Sequence, residues 1–158
     1  MLVRRQLIRV SLAAVATATL FGCTMPPPQT PPPVAATPNL VTLSTQLRGA
    51  NEVPPTPSMG SGTVDALFDK NTNLLRWRVS YSDLSGPALA AHFHGPALIG
   101  ANAGVAVPWP GPLASPMEGR ITLTPAQADE LMSGLWYANI HTARYPGGEV
   151  RGQMTVRN

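Results

Sequence analysis

Apolar and polar residues alternate along several stretches of the chain after residue 40. Between residues 74 and 82, every second side chain is large and apolar: Leu75, Trp77, Val79 and Tyr81. Such a period of two predicts a β-strand with one face on a core and the other in water. The same pattern predicts strands over residues 41–47, 62–68, 89–94, 104–107, 119–123, 135–142 and 149–156, with a hairpin loop at 69–73.

One short helix interrupts the strands. Thr124 supplies a capping hydroxyl, Pro125 suits the first helical position, and Gln127 stands three residues after the cap. Gly134 is a natural stop, so the sequence predicts a helix near residues 125–133. About eight short strands with one helix indicate an all-β fold, an antiparallel Greek-key sandwich or barrel.

The N-terminus has the order of an export signal. Three arginines within the first nine residues precede an uncharged apolar run over residues 10–21, which is too short to span a bilayer. The run leads into Leu20-Phe21-Gly22-Cys23, which resembles the lipobox cut by the lipoprotein signal peptidase. We therefore expect a signal peptide over residues 1–22 and lipidation of Cys23. The alternative is an ordinary secretory signal with an incidental cysteine.

A lipid on Cys23 predicts attachment to a membrane of the cell envelope. Thr24 is not aspartate, and in a Gram-negative cell this resembles the pattern of lipoproteins sent to the outer membrane, facing the periplasm or the cell surface. Cys23 is the only cysteine, so no internal disulfide is available. Residues 23–38 contain two proline triplets and predict a semi-rigid spacer, which leaves residues 39–158 as one domain.

Cleavage of the signal changes the charge balance. The chain has 11 basic and 8 acidic residues, a formal charge of +3, but three of the arginines belong to residues 1–22. The remainder is formally neutral and has no basic cluster, which argues against a nucleic-acid partner. No Gly-x-Ser-x-Gly elbow or Ser-His-acid set stands out, so the sequence assigns no catalytic residue.

The three histidines of the chain share one strand phase. His92 and His94 are two residues apart on a predicted strand and therefore point to the same face, away from Phe93 on the core side. On a second strand, His141 alternates with the apolar residues and shares its face with Tyr137 and Asn139. If the two strands are neighbours, the three imidazoles could converge on one ion.

Neutral imidazoles suit copper, zinc and other late first-row ions. We expect a mononuclear site with His92, His94 and His141 as ligands, and with copper preferred over zinc. Tyr137 is a candidate fourth ligand or redox-active neighbour. Asn139, Glu149 and Arg151 are candidates for contacts that orient the imidazole ligands without binding the metal themselves. Glu149 and Arg151 could equally form ordinary cross-strand pairs on a solvent-exposed face.

Several motifs resemble, in order, those of the CHRD domain, a family named for the repeats in chordin. The segments that carry the resemblance cover the domain from about residue 40 to residue 156: Leu47-Arg48-Gly49-Ala50-Asn51-Glu52-Val53-Pro54-Pro55, Ala91-His92-Phe93-His94-Gly95-Pro96-Ala97, Leu123-Thr124-Pro125-Ala126-Gln127, Tyr137-Ala138-Asn139-Ile140-His141-Thr142 and Pro146-Gly147-Gly148-Glu149-Val150-Arg151-Gly152-Gln153. The family name implies no reaction.

A looser similarity exists to Cu,Zn superoxide dismutase, a Greek-key β-barrel with a His-x-His on one strand. Three histidines are too few for the dinuclear site of the dismutases, and the structural disulfide of the dismutases cannot form here. The other fold expected is an immunoglobulin-like sandwich. Three functions therefore stay open. They are a metal-binding domain with a redox role, a non-enzymatic module that binds a protein or a polysaccharide, and a copper-only dismutase.

Overall fold

The alternating stretches form strands close to their predicted bounds. The computed structural model describes residues 39–157, so the predicted signal peptide (1–22) and spacer (23–38) lie outside the described residues. Within this range the strands are β1 (Leu40–Arg48), β2 (Ser61–Asp69), β3 (Leu74–Ser82), β4 (Ala88–His94), β5 (Val105–Pro108), β6 (Met117–Thr122), β7 (Tyr137–Thr142), β8 (Val150–Gln153) and β9 (Thr155–Val156). The expected last strand is thus two strands, separated at Met154.

All described strand pairs are antiparallel, in the order β5-β4-β7-β8-β1-β2-β3-β6, and β9 also pairs with β1. The sheet curls into a half-barrel, which confirms the all-β fold. Because it curls, β3 and β4 face each other across the interior without hydrogen bonding. Trp77 of β3 meets Phe93 of β4 edge to face, with ring centroids 5.2 Å apart.

The helix also forms as predicted. Helix α1 (Pro125–Met132) begins with a full capping box, in which Thr124 and Gln127 each satisfy the other's backbone N–H. It stops at Gly134, whose φ of 72° lies in the left-handed region that favours glycine. Ala128 and Leu131 are its buried residues and close one part of the core. Within residues 39–157, no helix is long and apolar enough to cross a membrane.

The core takes the phase expected from the sequence. Phe93, Trp136, Ala138 and Ile140 are all fully buried. The opposite face of β4, β7 and β8 is also covered, which the alternation alone did not indicate. Two loops lie over it, a 3-10 turn (Gly49–Asn51) with the residues that follow it up to Gly60, and residues 95–104 between β4 and β5.

Candidate metal centre

Strands β4 and β7 are hydrogen-bonded neighbours. The prediction from sequence required this adjacency for the three histidines to converge. In their register, His92 lies opposite Asn139, His94 opposite Tyr137 and Ala90 opposite His141. All three imidazoles therefore leave the same face of two adjacent strands. His94 is buried, and His92 and His141 are partly exposed at the rim.

The three rings lie close enough to share one ion. His92 Nδ1 is 3.2 Å from His141 Nε2, and one ring nitrogen of each histidine lies within 4.8 Å of the others. It follows that some point lies within about 2.8 Å of all three nitrogens, whereas a copper or zinc bond to imidazole is about 2.0–2.1 Å long. Inward shifts of under ~1 Å per ring would complete such a site.

A backbone carbonyl selects the tautomer of His94. His94 Nδ1 lies 3.0 Å from the carbonyl oxygen of Ala103; since a carbonyl can only accept, Nδ1 carries the proton and Nε2 keeps a free lone pair. His141 instead faces an acceptor at each ring nitrogen, because Nδ1 lies 2.9 Å from the Pro146 carbonyl oxygen and Nε2 lies 2.9 Å from Asn139 Oδ1. His94 Nε2 is buried and has no hydrogen-bond partner. A buried acceptor without a partner calls for an explanation, and a metal ion supplies one.

The surroundings keep two of the rings neutral. Burial, together with the smaller effects of the neighbouring His141 and His94, lowers the pKa of His92 to about 4. Burial also lowers the pKa of His94, against the opposing hydrogen bond to Ala103. Neutral imidazole is the form that binds metals, so His92 and His94 are ready to coordinate at neutral pH.

Asn139 links the histidines to a buried carboxyl. Its Oδ1 lies 2.9 Å from His141 Nε2, and its side chain hydrogen-bonds Glu52. Burial raises the pKa of Glu52 to about 7, although nearby Arg151 and the hydrogen bonds from Val53 and Asn139 act to lower it. Glu52 Oε1 is buried without a hydrogen-bond partner.

Glu52 is the site residue that sequence reasoning missed. It appeared only as one letter of a family motif, in a loop remote in sequence from the histidines. The signal that could have found it is a charged residue between glycine and proline in that motif. Its place beneath the site depends on the fold, since β8 lies between β7 and β1.

The ring of Tyr137 contacts a histidine, but the Tyr137 hydroxyl points away from the imidazoles. Its ring stacks on that of His94, with centroids 4.8 Å apart and an interplanar angle of 3°. The Arg151 guanidinium lies 3.3 Å from the Tyr137 ring centroid, and its nitrogens donate to Asn102 and to the Ala101 carbonyl. Because β7 lies between β4 and β8, His94 and Arg151 flank Tyr137 from opposite sides. The Tyr137 hydroxyl hydrogen-bonds the backbone of Ala103.

Glu149 hydrogen-bonds away from the imidazoles. Its carboxylate accepts from the hydroxyls of Ser58, Ser85 and Thr142 and from the backbone N–H of Ser85. Burial alone would raise the pKa of Glu149, but these hydrogen bonds together lower it. Glu149 thus joins three segments of the fold, and the histidines have Asn139 as their polar neighbour instead.

The family of the chain follows from its match to one family model. The family model for the CHRD domain matches residues 43–154, which is most of the chain. The chain belongs to the CHRD family. No curated protein and no solved structure matches the chain significantly. The histidines, Asn139 and Arg151 of this CHRD domain all fall within the matched region, and so does Glu52.

Proposed function

We propose that this CHRD domain binds a single metal ion through His92, His94 and His141, with copper preferred over zinc. The observation that carries the proposal is the buried Nε2 of His94, which has no partner while its Nδ1–H is held by a carbonyl. If the histidines merely satisfied local hydrogen bonds, as in a pure interaction module, this lone pair would stay unexplained.

The donor set supports copper. Three neutral imidazole nitrogens suit late first-row ions, and a given nitrogen site binds Cu²⁺ more tightly than Zn²⁺. The ring of His94 is already held in the required tautomer by Ala103, which lowers the entropy lost on binding. A bound copper ion would supply one-electron redox chemistry. The protein's own part is to hold the rings, to keep His92 and His94 neutral, and to leave His92 and His141 partly open to solvent.

Copper loading of the purified full chain tests the proposal. We expect one Cu(II) per chain and an EPR spectrum with nitrogen hyperfine splitting, both lost in His94→Ala and strongly changed in His92→Ala. Tyr137→Phe is the matched control, because it keeps the ring stacked on His94 and removes only a hydroxyl that points to Ala103. Stoichiometric binding that survives removal of two histidines would refute the assignment.

We further propose that the protein is a lipoprotein of the cell envelope, anchored by acyl chains on Cys23. The support is the basic n-region, the short apolar run and the lipobox-like segment before the only cysteine. Metabolic labelling with palmitate should mark the protein, and Cys23→Ser should abolish both the label and the recovery in the membrane fraction. Unchanged labelling of Cys23→Ser would contradict the anchor.

A further inference from the structure

A groove of about 640 Å³ runs across the outer face of β1, β2, β3 and β6, on the half of the sheet away from the histidines. The floor of the groove is the row of paired residues Ala66, Trp77 and Gly119. Ala66 and Trp77 direct their side chains to the core, and Gly119 has no side chain. Because neighbouring strands are about 4.8 Å apart, a groove across four strands is about 14 Å long.

Two cross-strand rows of outward-facing side chains form its walls. One row runs from Thr42 through Leu67 and Arg76 to Arg120, each directly opposite the next. The other row runs from Asp65 through Arg78 to Glu118. The walls therefore combine guanidinium groups with one partly buried aliphatic side chain, Leu67.

The charges of the two rows do not balance. Arg78 lies 3.5 Å from Glu118, the one salt bridge among residues 39–157, and Arg78 is also opposite Asp65. Arg76 and Arg120 face each other in register with no carboxylate between them, an arrangement that destabilises a sheet by repulsion. Three arginines, Arg76, Arg78 and Arg120, thus stand against the two acids Asp65 and Glu118. The groove has an excess of one positive charge on a domain that is neutral as a whole.

We propose that this groove binds an acidic polysaccharide. Guanidinium groups form bidentate hydrogen bonds with carboxylates, and an anionic group between Arg76 and Arg120 would remove their repulsion. A linear chain of sugars with regularly spaced carboxylates suits an open groove that crosses four strands. Leu67 offers an apolar contact for the C–H face of a sugar ring, and Thr42 offers a hydroxyl.

The same observations argue against other polyanions. Single-stranded nucleic acids need exposed aromatic side chains on which bases stack, and the groove's one aromatic residue, Trp77, is buried with its ring against the core. An anionic membrane surface is attracted by a broad basic face or an inserted apolar helix, whereas here three arginines line one recess together with Asp65 and Glu118. A polyuronate therefore fits the groove best.

Binding of alginate oligosaccharides to the purified full chain tests the proposal. The double variant Arg76→Gln/Arg120→Gln should raise the Kd about tenfold or more, since each arginine makes charge-assisted hydrogen bonds. The control Lys70→Gln/Arg144→Gln removes the same charge from exposed positions outside the groove and should change the Kd less than about twofold. Higher ionic strength should weaken binding, and neutral dextran should not bind.

Several results would overturn the proposal. Equal weakening by the two double variants would mean that only net charge matters. Unchanged alginate binding by Arg76→Gln/Arg120→Gln would place the ligand elsewhere. Binding to anionic lipid vesicles that depends on Arg76 and Arg120, without alginate binding, would assign the groove to a membrane surface. The near-UV circular dichroism spectrum of the same variants is the check on folding, and it does not depend on whether the histidines on β4 and β7 bind copper.

Discussion

The buried carboxyl of Glu52 makes the stability of the domain depend on pH in an unusual direction. Only 5% of this residue is exposed, and its Oε1 has no hydrogen-bond partner. Burial raises the pKa of the group to about 7, while Arg151 and the Asn139 amide oppose the rise. The substitution Glu52→Gln keeps the shape of the side chain and removes its titration, so it isolates the effect of the charge.

The sign and the size follow from linkage. The ordinary carboxyl pKa of 4.5 applies to the unfolded chain, and a pKa of about 7 applies to the folded protein. Between these values the folded state holds the proton more tightly. The stability contributed by protonated Glu52 is therefore fully present below pH 4.5 and is lost as the pH rises through 7. The difference corresponds to about 3 kcal/mol of unfolding free energy at alkaline pH.

Urea unfolding of the metal-free protein at pH 5 and pH 8.5 measures this effect. We expect Glu52→Gln and the parent to differ by less than about 1 kcal/mol at pH 5, and the variant to be more stable by about 3 kcal/mol at pH 8.5. His92 acts oppositely, because its lowered pKa makes the fold lose stability below pH 6.5. His92 is present in both proteins, however, and its contribution cancels in the difference.

The control is Glu118→Gln, which removes an exposed carboxylate on the far half of the sheet. It should leave the pH dependence of the parent unchanged. If Glu52→Gln were instead less stable than the parent at pH 8.5, the ionised carboxyl would be a net stabilising partner of Arg151, and the reasoning from burial would be wrong.

Three further substitutions probe the surroundings of the site. Gly148→Ala should destabilise the fold by about 2 kcal/mol in thermal unfolding, because φ is 129° and the added Cβ would lie 2.5 Å from Glu52 Oε1; an unchanged Tm would contradict this. Glu149→Gln should destabilise the domain by about 3 kcal/mol in urea, since an amide cannot accept all four hydrogen bonds of the buried carboxylate, and a loss below about 1 kcal/mol would count against that role. Asn139→Ala should tighten copper binding by about fivefold in a competition titration, because the Asn139 Oδ1 contact with His141 Nε2 has to be given up when that nitrogen binds the ion. An unchanged or weaker affinity would mean that Asn139 does not compete with the metal for His141.

Local patterns predicted much of the fold and the central residues of the site. The alternation around Trp77 and Phe93 specified which face meets the core, because side chains of a strand point alternately to its two sides. Thr124, Gln127 and Gly134 predicted both ends of the helix, because capping depends only on residues within a few positions of one another. The same period of two placed His92, His94 and His141 on the non-core face of their strands.

The sequence by itself thus determined the period and phase of each element, since these depend on contacts between near neighbours in the chain. Only the tertiary structure decided that β4 lies beside β7, and so that His141 meets His92. It also decided that two loops cover the face expected to be wet, which buries His94 Nε2 and Arg151 and brings Glu52 under Asn139. Strand order and loop packing arise from contacts between residues far apart in the chain, and such contacts leave no periodic signal in the sequence.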